Sequence, residues 1–285
     1  MLALIGIVVV FGAIVGGYLL EKGNLLVLLQ PAELVIIGGA ALGTLLVGNP
    51  MEIVLGIGRG LPQVLRGSQY TKSAFLETLK LLYELFTHLK KLDMAGIEAV
   101  VEEPAKSPVF SKYPRFLSDS HVRDFICDTL RTHSSGSVGH HDLDQVMESD
   151  IDVHHRSKSA PVKALSTVAD SLPGLGIVAA VLGVIITMGS LGGPPEEIGH
   201  KVAAALVGTF LGILLCYGLI GPLAANLSRI NDAEGEYYQV VRQGIFYFLK
   251  GAAPIVAVEF ARRNVPANLR PTYREMESAC RKQAA

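Results

Sequence analysis

The apolar positions along this chain follow two regimes. Four windows, 1–20, 34–51, 171–195 and 202–228, contain no Asp, Glu, Lys or Arg. At 1.5 Å per residue each is long enough to cross a hydrocarbon layer of about 30 Å. Elsewhere the pattern is amphipathic. "KSAFLETLKLLYELFTHLKKL" (72–92) sets Phe75, Leu79, Leu82, Phe86 and Leu89 at three- and four-residue steps, with Glu77, Lys80, Glu84 and Lys91 between them. This predicts a helix whose apolar stripe packs either on its own domain or on a neighbouring copy.

Further helices are expected at 118–132, with Ser118 as cap, and from His140 onward, interrupted or kinked at Pro161. The fourth span is expected to continue as a helix through 226–250. The three-proline stretch 102–116 and "RNVPANLRP" read as irregular connections. The predicted fold class is an all-α integral membrane protein. Residues 1–50 hold transmembrane helices 1 and 2, 51–170 a large helical loop domain, 171–228 transmembrane helices 3 and 4, and 229–285 a tail.

Composition agrees with membrane residence: 285 residues, 50% hydrophobic, only 18% charged, with a mean hydropathy of +0.40. The first window lacks a basic flank and a small-x-small cleavage pattern, so it reads as a retained span. Of the 25 basic residues only Lys22 and Lys201 fall outside the loop domain and the tail. That asymmetry predicts a cytoplasmic loop domain and cytoplasmic N- and C-termini. The net charge of −1 gives no electrostatic footprint for nucleic acid. The three cysteines predict reduced thiols and no disulfide framework.

An ionisable group inside a bilayer usually marks an ion path. The third and fourth spans contain none, and Asp170 and Glu33 are expected at span ends within reach of water. A complete single-chain pump is therefore disfavoured. The same two spans are rich in small residues: Gly174, Gly176, Ala179, Ala180 and Gly183 in one, Gly208, Gly212, Gly218 and Gly221 in the other. Such residues allow close backbone approach, either within the chain or to helices of another subunit that supplies the missing carboxylate. Pro173 and Pro222 frame this surface and are expected at one level, each freeing a carbonyl and offering a hinge, with Asp170 one turn behind Pro173.

"PAELVIIGGAALG", "DSLPGLGIVAAVLGV", "VGTFLGILLCYGLIGPLA" and "AAPIVAVEFARR" resemble the A subunits of bacterial flagellar stators, the MotA branch of the MotA/TolQ/ExbB superfamily. The resemblance spans essentially the whole chain. It implies a homopentamer around a pair of single-span MotB-type B subunits carrying the ion-binding aspartate, in the bacterial inner membrane. Ion flow would drive torque on the rotor protein FliG for motility. Residue by residue, it implies coupling roles for Pro173 and Pro222 and rotor contact for Lys90 and Glu98, with Lys91 a neighbouring alternative to Lys90.

Sodium-driven relatives carry a hydroxyl in the third span where this chain has Ala180, while Thr209 matches a threonine shared by both ion types. The resemblance thus implies proton as the transported ion rather than sodium. Thr187 is the remaining hydroxyl whose facing bears on that choice. No cofactor, metal or enzymatic activity is expected: the His140/His141/Asp142/Asp144 and Asp150/Asp152/His154/His155 groups match no ligand spacing, and "SSGSVG" is no nucleophile elbow. An ExbB/TolQ-like energising subunit would have three spans, and a channel or transporter would line its spans with polar groups. Both remain as alternatives.

Overall fold

A computed structural model describes residues 2–136, 138–189 and 192–281. All regular structure among them is helical. The chain forms two compact units, one of residues 1–67 and 157–231, the other of 68–156 and 232–285.

The first unit holds α1 (Leu2–Leu20), the short α2 (Leu25–Leu28), α3 (Pro31–Gly48) and α4 (Met51–Arg66). It also holds the later part of α9 (His140–Met188), α10 (Pro195–Ile213), a π-helical stretch (Leu214–Ile220) and the start of α11 (Gly221–Leu249). Four helical segments, Leu2–Leu20, Leu25–Gly48 and parts of His140–Met188 and Pro195–Leu249, are long and apolar enough to span a bilayer. They leave large apolar side chains exposed, among them Leu2, Val8, Val35, Val47, Ile186 and Leu206. That is the surface expected of helices solvated by lipid or by other helices. Pro31 opens α3, where its missing N–H costs nothing. Gly67 ends α4 at φ 87, a conformation that side chains resist, and donates its N–H to the Gln63 carbonyl.

Helix α4 belongs to the first unit although the sequence groups residues 51–66 with the loop domain. It buries Ile57, Gly60 and Val64, and Gly60 has no room for a methyl, which would meet Leu227 Cδ2 at 2.8 Å. Of the interruption or kink expected at Pro161, the interruption is absent, because α9 runs through it as one helix. Its ring packs on α4 where Gly56 offers no side chain; a Cβ there would stand 2.6 Å from Pro161 Cγ. The packing offsets the one hydrogen bond that the proline removes.

The second unit has an aromatic-rich core built around α5 (Lys72–Leu89). Phe75, Leu79, Leu82, Phe86 and Leu89 are all buried, so the amphipathic stripe packs on its own domain. Around it stand α6 (Met94–Glu102), α7 (Pro114–Ser118), α8 (Ser120–Ser134), α12 (Pro254–Asn264) and α13 (Tyr273–Arg281), with the flanking parts of α9 and α11. Phe86 stacks on Phe248 at 4.4 Å, and the Thr78 and Tyr237 hydroxyls share a 2.7 Å hydrogen bond. Arg242, buried to 8% exposure, donates to Asp144 at 2.8 Å and Glu148 at 3.3 Å. Thr71 caps α5 and Asp93 caps α6. Helix α8 is capped by Asp119, whose carboxylate accepts from the Val122 N–H, and not by Ser118. The Ser118 hydroxyl is already donating to the Arg115 carbonyl.

Candidate functional site

Helices α9 and α10 pack antiparallel along their glycines. A Cβ on Gly176 would lie 2.7 Å from the Gly208 carbonyl oxygen, and one on Gly183 would lie 2.8 Å from Ala205 Cβ. A Cβ on Gly212 would lie 2.5 Å from the Leu172 carbonyl. Backbone therefore meets backbone along this seam, and Gly176, Gly183, Gly208 and Gly212 serve packing within the chain, whereas Gly174 meets nothing within 4 Å. The same register persists beyond it, where Asn231 Nδ2 donates to the Lys158 carbonyl at 2.7 Å.

That register sets Pro173 beside Gly212 at the end of α10, just before the π-helical stretch, and Pro222 more than two turns further along, so the two prolines do not share one level. The cause is length, since Pro173 stands 15 residues before the end of α9 at Met188 and Pro222 stands 27 residues after the start of α10 at Pro195. Over Leu214–Ile220 the backbone closes five-residue bonds, the last from the Gly221 N–H to the Cys216 carbonyl. A proline at 222 cannot donate, and the widened turn before it absorbs the disruption. Pro173 is half-buried, and Pro222 and Asp170 are exposed. Ala180 lines the seam with its backbone nitrogen 3.1 Å from a Cβ on Gly208. Thr209 is half-buried. Thr187 is buried to 1% exposure and its hydroxyl donates to the Gly183 carbonyl at 2.8 Å.

Glu33 corrects the expectation that it lies within reach of water. It is 6% exposed, and a Cβ on Gly208 would lie 2.7 Å from Glu33 Oε2. Its Oε2 has no hydrogen-bond partner among the described residues. The buried face of α3 is Glu33, Ile37, Ala41 and Leu45, a four-residue repeat that starts on the acid. The signal was present in the phase of the helix, which carries Glu33 inward even though it stands in the first turn.

In the second unit Lys90 and Lys91 follow the end of α5 and are exposed. They border a shallow cleft with Tyr83, Thr87, Pro254 and Ile255. Glu98 is exposed on α6. Arg131 and Glu102 form an ion pair on α8 and α6 at 3.3 Å. Among the described residues no three His, Cys, Asp or Glu side chains gather as a metal site.

Residues 4–93 match the Motility protein A N-terminal family, and residues 118–239 match the MotA/TolQ/ExbB proton channel family. The chain is similar to Motility protein A of Escherichia coli strain K12, 42% identical over 99% of this chain and 95% of that one. It is 31% identical to the chemotaxis protein LafT of Vibrio parahaemolyticus over 96% of each chain. Its fold superposes on the C. jejuni MotAB structure with a TM-score of 0.74, at 17% identity, covering 93% of this chain and 96% of that one. For the flagellar MotAB stator complex of Bacillus subtilis the TM-score is 0.72, at 22% identity and the same coverage. With its four candidate spans, its glycine seam and this full-length similarity, the chain belongs to the motility protein A family of multi-pass membrane proteins.

Proposed function

We propose that this chain is the A subunit of a flagellar stator, which with a single-span MotB-type partner couples proton flow across the bacterial inner membrane to torque for motility. The observation that carries the reading is the place of Pro173 across the glycine seam, beside Gly212 where α10 gives way to the π-helical stretch. One helix lacks a backbone donor close to where the other leaves α-helical bonding, so this level bends more easily than the tightly packed turns beyond it. One elementary charge crossing 100 mV releases about 2.3 kcal/mol, enough for a small step of such a hinge.

In this reading five copies surround two partner helices, the loop domain and both termini are cytoplasmic, and Lys90 and Glu98 meet charges on the rotor protein FliG. Asp170, exposed one turn before Pro173, borders the ion exit. Proton is the transported ion, since Ala180 offers no side-chain oxygen at the place where sodium-driven relatives carry a hydroxyl. A hard cation shedding water needs several oxygen ligands. Native mass spectrometry of the chain co-expressed with a single-span partner tests the assembly. A particle of five copies with two partners supports the stator; a stable monomer or dimer without the partner overturns it.

A further inference from the structure

We propose that the Glu33 carboxyl is a proton-binding site of this chain itself, loading and releasing a proton within the seam of α3, α9 and α10. The inference rests on the stator reading above and adds a station to it. Three observations carry it. Glu33 is buried to 6% exposure on the face of α3 that otherwise bears Ile37, Ala41 and Leu45. Its Oε2 has no partner among the described residues. The carboxyl occupies space that Gly208 leaves open, since a methyl there would lie 2.7 Å from Oε2, and Oε1 lies 3.6 Å from the corresponding position on Gly183.

The place is inside the span. Gly208 lies seven residues beyond Lys201, the last charged residue of α10, which is about 10 Å along the helix. An unpartnered carboxylate among hydrocarbon is costly, and taking up a proton removes the charge. Position in the first turn of α3 acts the other way, because the helix N-terminus favours the anion. A site under these opposed influences has both states within reach. On loading, a hydronium ion gives its proton to a carboxylate oxygen and leaves as water. On release, the O–H bond breaks and the proton passes to water or to an acceptor carboxylate on the partner helix.

The surroundings select a proton over a metal cation. Gly183, Ala205, Gly208 and Ala179 line the seam and bring no side-chain oxygen. A dehydrated cation would find one carboxyl where it needs several oxygens.

The test uses the complex of this chain with its single-span partner, in vesicles under an imposed potential, comparing wild type, Glu33→Gln and Glu33→Asp by dye-reported proton flux across a pH series. Glutamine mimics the protonated acid, so the proposal expects the Gln complex to assemble with flux reduced roughly tenfold or more. The Asp variant should conduct with a displaced pH profile, a readout that a packing role would not move. Wild-type flux in the Gln variant overturns the proposal. So does a Gln variant that fails to assemble, which would make the charge a structural one. If wild type itself carries no protons the stator reading fails, and infrared spectroscopy then decides Glu33 separately. The wild-type minus Gln difference must show a protonated-carboxyl stretch that bleaches as pH rises, and its absence overturns the site.

Discussion

The carbonyl oxygen of Leu172 faces the α-carbon of Gly212 so closely that a methyl on that glycine would stand 2.5 Å from it. The obstacle is backbone, which cannot rotate aside as a side chain can. Gly212→Ala should therefore destabilise the purified chain by about 1–3 kcal/mol. Gly174→Ala, which meets nothing within 4 Å in this chain, should melt with the wild type. Equal melting temperatures for the two variants would contradict the seam.

Pro173 and Pro222 should matter for movement more than for assembly. Alanine restores a backbone donor at either position and stiffens the helix. Pro173→Ala should leave the assembled particle intact on native mass spectrometry and abolish swimming. Pro222→Ala should convert the preceding π-helical turns to ordinary α-helix and have the same effect. Normal swimming by both variants would remove the hinge.

Lys90 and Glu98 are exposed, so their substitution should change stability by no more than about 0.5 kcal/mol. Lys90→Glu and Glu98→Lys are expected to fold and assemble normally yet swim poorly, with complementary charge changes in the rotor restoring motility. Lys91→Glu alone, run in parallel, separates the two lysines by the same motility assay.

Burial pushes the thiols of Cys127 and Cys280 up to about 11. The thiolate is the reacting species. Both should therefore resist maleimide labelling at pH 7 to 8 in the folded protein and label fully once it is denatured. Rapid labelling of either in the native state would contradict the packing of the second unit.

Arg262 grips both carboxylate oxygens of Glu259 at 2.7 and 2.8 Å, and Arg263 adds a third bond at 2.8 Å. These bonds, the Arg262 pair foremost, hold the Glu259 carboxyl below the usual carboxylate range. The unfolded chain binds that proton more readily, so the stabilisation is complete above about pH 4.3 and disappears as pH falls through the lowered value. Glu259→Gln should cost about 1 kcal/mol at neutral pH, with the gap to wild type closing on acidification. A gap that stayed constant between pH 3 and 7 in thermal melts would be the wrong result.

Much of this was legible in the sequence. Four uncharged runs marked the spans, and the period of Phe75 to Leu89 marked the core helix of the second unit. Both signals are local, because hydrocarbon thickness and helical pitch act on consecutive residues. The glycines of α9 and α10 announced close packing, and family resemblance supplied Lys90, Glu98, Pro173 and Pro222. Local sequence could not say which partner those glycines meet. Gly176 and Gly183 are matched by Gly208 and Ala205 of the same chain, a register that exists only once both helices are placed.

Three features depended on that placement. Pro161 signals a break by itself, yet α4 packs on its ring and α9 stays continuous. Pro222 reads as a kink, and the π-helical stretch before it relieves the strain. Glu33 looks like an acid at a span's edge until α9 and α10 close over it at Gly183 and Gly208. The sequence by itself determined what crosses the membrane and which faces are apolar, since those follow from composition and pitch along one helix. Tertiary structure decided where a carboxyl is buried and where a helix can bend, because both depend on atoms brought together from distant parts of the chain.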